Sequence, residues 1–76
     1  MRKSTEARNI RKTFGENLRR MRQEQNYTYR RFASEVGIPP SSLTYYEHDG
    51  RLPSIEVLLN ICDVLGTTPN EMLGYR

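Results

Sequence analysis

The sequence predicts an all-α domain of five short helices, and three observations lead there. Large apolar residues recur at helical spacing, as Phe14, Leu18 and Met21 do at i, i+4 and i+7. Helix-starting residues (Thr28, Ser54, Thr68) stand ahead of later segments, and glycine follows two of those segments as a stop, at Gly37 and Gly66. No stretch alternates apolar and polar residues as a half-buried strand does.

Taken in order, residues 1–12 lack periodicity, with Ile10 their only large aliphatic residue after Met1. They are expected to form a flexible basic arm, with helix allowed near its end, ahead of a domain covering residues 13–76. Helix 1 is expected from Thr13 or Phe14 to Gln25, with Thr13 and Glu16 at capping-box spacing. Helix 2 opens on Thr28 and runs to about Val36, facing inward with Phe32, Ala33 and Val36. Helix 3 begins at Pro40, which suits a first helical position because its missing N–H would be unbonded there. Proline also pushes Pro39 into the extended geometry of an N-cap. Asp49-Gly50 ends this helix, and residues 51–53 form a loop. Helix 4 opens on Ser54 and is expected to face inward with Ile55, Leu58, Cys62 and Leu65. Thr68-Pro69-Asn70-Glu71 joins a capping box to a first-position proline, predicting helix 5 over residues 69–73.

Seventy-six residues make one domain, which buries only ~60% of its unfolded surface. The lone Cys62 excludes an internal disulfide, and no second Cys or His stands at a metal-ligand spacing. Regular helix packing, with or without dimerisation, is what remains to stabilise so short a chain. An unpaired thiol suits a reducing compartment, so a cytoplasmic location is expected. No apolar run approaches the ~20 residues that span a bilayer, and the basic N-terminus has no hydrophobic stretch behind it to make a secretory signal. The glycines are scattered singly, which excludes a glycine-rich phosphate loop, and no cofactor is expected. One histidine, one core-facing cysteine and no paired carboxylates give no basis for catalysis or for a small-molecule substrate.

Charge is distributed unevenly. Met1 to Arg31 holds ten Lys and Arg against three Asp and Glu, whereas Phe32 to Arg76 holds two against six. A basic half joined to an acidic half suggests one side that meets a polyanion, although a solvated basic arm with no partner has the same composition.

The strongest local pattern is Phe32-Ala33-x-x-x-Gly37-x-x-x-x-x-Leu43. A small residue lets a second helix approach, a glycine makes a tight turn, and a leucine anchors the second helix, as in two helices meeting at about 90–120°. With Ser41-Ser42-Leu43, Glu47, Arg51-x-Pro53-Ser54 and Leu65-Gly66 in order and spacing, the stretch from Phe14 to Leu73 resembles the phage-repressor-like helix-turn-helix family. This family includes the Cro and lambda-type repressors and is also called XRE. The resemblance implies a five-helix lambda-repressor-like DNA-binding fold, a recognition helix at about Pro40–His48 in the major groove of double-stranded DNA, and homodimerisation. It further implies transcriptional regulation, repression before activation.

On helix 3, Leu43, Tyr46 and Glu47 share one side, while Ser41, Thr44, Tyr45 and His48 fall at i, i+3, i+4 and i+7 on the other. Hydroxyl and imidazole groups can exchange hydrogen bonds with several base edges. In the family, the positions matching Pro40, Ser41, Thr44 and Tyr45 approach bases, and His48 extends the row. A polar outward stripe also needs no ligand, since any exposed helix carries one. The row lacks the Arg, Asn or Gln of bidentate base pairs, so modest base discrimination is expected, with affinity drawn from phosphates and DNA shape. Tyr29 and Arg30 at the start of helix 2, Ser42 near the start of helix 3, Arg51 in the following loop, and Arg11 and Lys12 are candidate phosphate contacts. The family usually has glutamine where Tyr29 stands, and Arg31 replaces the acidic capping-box residue. The arm from Arg2 to Arg8 is a candidate for following a groove. The resemblance also implies a partly buried ion pair between Arg22 and Glu47 that orients the recognition helix.

The competing reading is a helix-turn-helix module that binds a partner protein, as an antitoxin or regulator-binding protein does. Leu52, Val57, Met72, Leu73 and Tyr75 are the side chains that would form such a surface, a homodimer interface or ordinary core closure. Salt dependence separates the classes, because phosphate binding weakens steeply with salt and apolar contact does not.

Overall fold

The computed structural model describes the backbone of residues 2–75 and the side chains of residues 10–75. It contains five helices among the described residues: α1 Arg2–Glu24, α2 Tyr29–Val36, α3 Pro40–His48, α4 Ile55–Leu65 and α5 Pro69–Leu73. The helix starts follow the capping chemistry. Thr28, Ser54 and Thr68 accept hydrogen bonds from the backbone N–H groups of Arg31, Val57 and Glu71, each at 3.2 Å. Pro39 takes extended geometry ahead of α3 (φ −66°, ψ 147°), with no side-chain cap.

α1 departs from expectation by starting at Arg2 rather than near Thr13. Residues 2–13 contain no proline or glycine, and a helix seeded by a packed segment gains one hydrogen bond for each residue added. Thr13 therefore lies inside the helix instead of capping it, and its methyl group packs at Gly74. The side chains of Arg2 to Arg8, read as a groove-following arm, lie outside the described residues. In the turn after α1, Asn26 has a left-handed φ of 61°, a conformation asparagine tolerates better than other side-chain-bearing residues.

The core joins Phe14 and Leu18 of α1, Phe32 and Val36 of α2, Leu43 of α3, Leu58, Ile61, Cys62 and Leu65 of α4, and Met72 of α5. α1 packs on α3 and α5, and α2 on α3 and α4. One inward assignment is corrected. Ile55 is 71% exposed, and Ile61 is fully buried in its stead. The buried arc of α4 runs through residues 58, 61, 62 and 65, and Ile55 sits at its edge on the first turn. Of the tail side chains, Met72 is fully buried and closes the core, and Val57 and Leu73 are half-buried against it. Cys62 is a core residue, and burial pushes its thiol pKa up.

Polar side chains join the helix ends. Asn17 Nδ2 donates to the Glu71 and Met72 carbonyls at 3.1 and 3.0 Å, holding α5 on α1. Gln25 Nε2 donates to the last α4 carbonyl, that of Leu65, at 2.8 Å. Gly15 permits a close approach of α1 to α3: a Cβ there would lie 2.8 Å from the Tyr46 carbonyl oxygen and 3.1 Å from that of Glu47.

Gly15→Ala is therefore expected to lower stability. Alanine is favoured over glycine within a helix by ~1 kcal/mol, but overpacking costs ~1–3 kcal/mol, and here both obstructing atoms are backbone. Thermal unfolding followed by circular dichroism reads the sign, and a higher melting temperature would refute this account of the α1–α3 contact. A pH effect is expected at α5, where Thr67 and the Thr68 cap hold the Glu71 carboxyl below its ordinary value. A depressed carboxyl contributes stability above its unfolded pKa and loses it as pH falls through the folded value. Acid titration of Glu71→Gln should accordingly show a flatter stability curve than the parent in the carboxylate range.

Candidate nucleic-acid interface

α2, Gly37 and α3 form the helix-turn-helix. Gly37 adopts φ 89° and its N–H donates to the Ala33 carbonyl at 2.8 Å, with Ile38 N–H joining the same oxygen at 2.9 Å. Ala33 is fully buried. α3 is held by its inner side, where Leu43 is fully buried, Tyr46 packs on the core, and the Glu47 side chain has no solvent exposure. Its outer side carries Ser41, Thr44, Tyr45 and His48, all exposed, with Pro40 exposed at the start.

Behind this row, Arg22 and Glu47 form a two-pronged ion pair: Nε donates to Oε2 at 2.8 Å and Nη2 to Oε1 at 3.2 Å. Arg22 is 8% exposed, and its Nη1 donates to the Tyr27 carbonyl in the α1–α2 turn at 2.8 Å. Tyr29, at the start of α2, completes the cluster. Its hydroxyl donates to Glu47 Oε1 at 3.1 Å, and the Arg22 guanidinium lies 4.5 Å from its ring centroid. Burial, then the adjacent Glu47 charge, push the Tyr29 phenol pKa up, so it remains a donor at neutral pH. His48 Nε2 lies 3.1 Å from the same hydroxyl. Among the described residues no buried side-chain polar atom lacks a partner.

The residues read as phosphate contacts separate into groups. Arg30 is exposed at the start of α2, whereas Tyr29 is engaged with Glu47 and Arg22. Ser42 is half-buried and its N–H donates to the Pro39 carbonyl at 3.0 Å, so that backbone group is already bonded. Arg51 is exposed, with its guanidinium carbon 4.6 Å from the Tyr45 ring centroid. Arg11 and Lys12 line a cleft of about 390 Å³ with Gly15 and residues Tyr46 to Gly50. They flank the C-terminal end of α3, where positive charge also complements the helix dipole. Arg31 forms an ion pair with Glu35 at 3.1 Å and lies 5.5 Å from the Tyr27 ring centroid. Sequence reasoning missed Gly15, Asn17 and the bracing role of Tyr29. An isolated glycine inside a helical pattern was the available signal for the first.

Glu47→Gln should cost about 3 kcal/mol, because a buried guanidinium loses its counter-charge. That is a large share of the ~5–15 kcal/mol holding a small domain together. Urea unfolding measures it, and an unchanged midpoint would mean the pair is incidental.

A family model described as helix-turn-helix matches residues 18–72. The chain is 35% identical over 57 residues to the HTH-type transcriptional regulator AnsR of Bacillus subtilis (strain 168), covering 75% of this chain and 49% of that protein. It is 32% identical over 60 residues to the uncharacterized HTH-type transcriptional regulator YqaE of the same organism, covering 79% and 52%. With the uncharacterized HTH-type transcriptional regulator YazB, also of that organism, it shares 34% identity over 59 residues, 78% and 86% of the two chains. The chain thus spans about half the length of the first two relatives. No solved structure matches it. Fold, turn geometry and these matches agree: the chain belongs to the helix-turn-helix family of the XRE type.

Proposed function

We propose that the chain binds double-stranded DNA as a transcriptional regulator, laying α3 in the major groove. The observation that carries this reading is the two-sided build of α3. Leu43 and Glu47 are sealed inside, while Ser41, Thr44, Tyr45 and His48 stand outside in one row at groove-reading spacing. The names of the relatives, all HTH-type transcriptional regulators, support the same assignment. The chain acts by binding rather than by catalysis, in the cytoplasm, where a buried free thiol such as Cys62 is stable.

Pro40, Ser41, Thr44 and Tyr45 face the bases, with His48 at the end of the row, and Arg30 and Arg51 meet phosphates on either side. A row of hydroxyls discriminates bases weakly, so phosphate contacts and DNA shape supply most of the affinity. Repression is the simpler mode of action, because occluding a promoter asks only for occupancy. A homodimer would set two recognition helices about 34 Å apart on half-sites one helical turn apart. Leu52, Ile55 and Leu59 are exposed apolar side chains available to a second copy.

Selection of duplexes from a random-sequence pool, followed by affinity measurement from about 50 to 200 mM salt, tests the proposal. The expected result is an enriched motif with loose base preferences and affinity falling by orders of magnitude over that range. Thr44→Glu, which adds a negative charge to the outward row, should abolish binding with the fold intact. Salt-independent binding, or full affinity in Thr44→Glu, would overturn the assignment.

A further inference from the structure

The loop after α3 is tied to one residue of that helix twice. Gly50 turns the chain with φ 69°, and the Arg51 N–H donates to the Tyr45 carbonyl at 3.4 Å. The Arg51 guanidinium then folds back over the Tyr45 ring, at 4.6 Å from its centroid. Both side chains are exposed, Tyr45 to 41%. Arg20, Arg22 and Arg31 each pair with a carboxylate, whereas Arg51 forms no ion pair among the described residues. Arg51 is also the sole Lys or Arg between Phe32 and Tyr75, the stretch that contains all of α3. Within the segment that carries α3, attraction of a polyanion therefore falls on this cation, with Arg11 and Lys12 of α1 near the end of the helix, and its placement matters.

We propose that Tyr45 is a positioning residue whose ring holds the Arg51 guanidinium against the outer face of α3, ready for a DNA phosphate. Tyr45 then contributes to affinity through Arg51 and not through its own hydroxyl. This rests on the DNA-binding reading above. A free arginine side chain loses considerable rotamer freedom when it engages a ligand. Stacking on an aromatic face restricts that freedom beforehand, and it leaves the N–H donors in the guanidinium plane directed sideways and unoccupied. The backbone bond from Arg51 to Tyr45 fixes the root of the side chain, and the ring fixes its tip. The stack carries the loop's charge back to about one turn before the end of α3, beside the outward row.

The test uses the full chain and a duplex that the unaltered chain recovers from a random-sequence pool, with affinity measured by fluorescence anisotropy at several salt concentrations. Arg51→Ala should weaken binding and reduce the magnitude of the log–log salt slope by about one, the signature of one lost phosphate contact. Tyr45→Ala should weaken binding by roughly two- to five-fold, the scale of an exposed cation–π contact, and move the slope in the same direction. In the Arg51→Ala background it should have no further effect. Tyr45→Phe keeps the ring and should keep the parent's salt slope, which Tyr45→Ala does not. Additive losses, or a Tyr45→Phe as weak as Tyr45→Ala, would overturn the proposal and make the hydroxyl a direct reader. Failure of the unaltered chain to recover any duplex would remove the DNA-binding reading itself, before any variant is compared. Matching circular dichroism melts confirm that both substitutions, at exposed positions, leave the fold in place.

Discussion

A carboxylate sealed inside a small helical domain is costly unless its charge is met, and the arrangement around Glu47 meets it fully. Two nitrogens of Arg22 and the Tyr29 hydroxyl converge on its two oxygens, and the remaining terminal nitrogen of Arg22 is taken by the Tyr27 carbonyl. Four pieces of chain are fastened at one point: the end of α1, the turn after it, the start of α2 and the end of α3. Charge-assisted forks of this kind are directional, so α3 is fixed in rotation as well as position. Leu43, fully buried one turn earlier, supplies the nonpolar half of the anchorage.

The rest of the domain serves that placement. Gly15 lets α1 come within contact of the last α3 carbonyls, which brings Arg22, two turns further along α1, level with Glu47. Ala33 and Gly37 set the angle between α2 and α3, and the left-handed Gly37 lets two amides share one carbonyl where the helix stops. α5 closes the bottom of the core with Met72 and is itself held by Asn17. Stability in so short a chain depends on joints between helices more than on core volume.

Much of this was legible in the sequence because its signals are local. Threonine and serine caps, first-position prolines and terminal glycines fixed the starts and stops of α2 to α5, since each works within a few residues of itself. The side of α3 facing the core was equally readable, because Leu43 interrupts a run of polar residues at a definite phase. What was not legible was set at a distance. The start of α1 depends on propagation from a packed segment, which no cap announces. The exchange of Ile55 for Ile61 depends on where α2 and α5 lie, and the two isoleucines have the same chemistry. Tyr29 is a phosphate candidate by its place at a helix start, where the bracing contact of its side chain is not visible. It turns inward because Glu47, distant in sequence, offers an acceptor beside it. Arg51 and Tyr45 were each visible as candidates, but their contact needs the Gly50 turn to bring them together.

The division of α3 into a pinned side and an open side has an evolutionary consequence. None of the groups that anchor the helix belongs to Ser41, so that position can be exchanged without disturbing the frame that displays it. Thr44, Tyr45 and His48 are less independent, since Thr44 and His48 meet the Tyr29 hydroxyl and Tyr45 meets Arg51. New target preferences can therefore arise in single steps at the front of the helix, whereas its rear half changes only in concert with its neighbours.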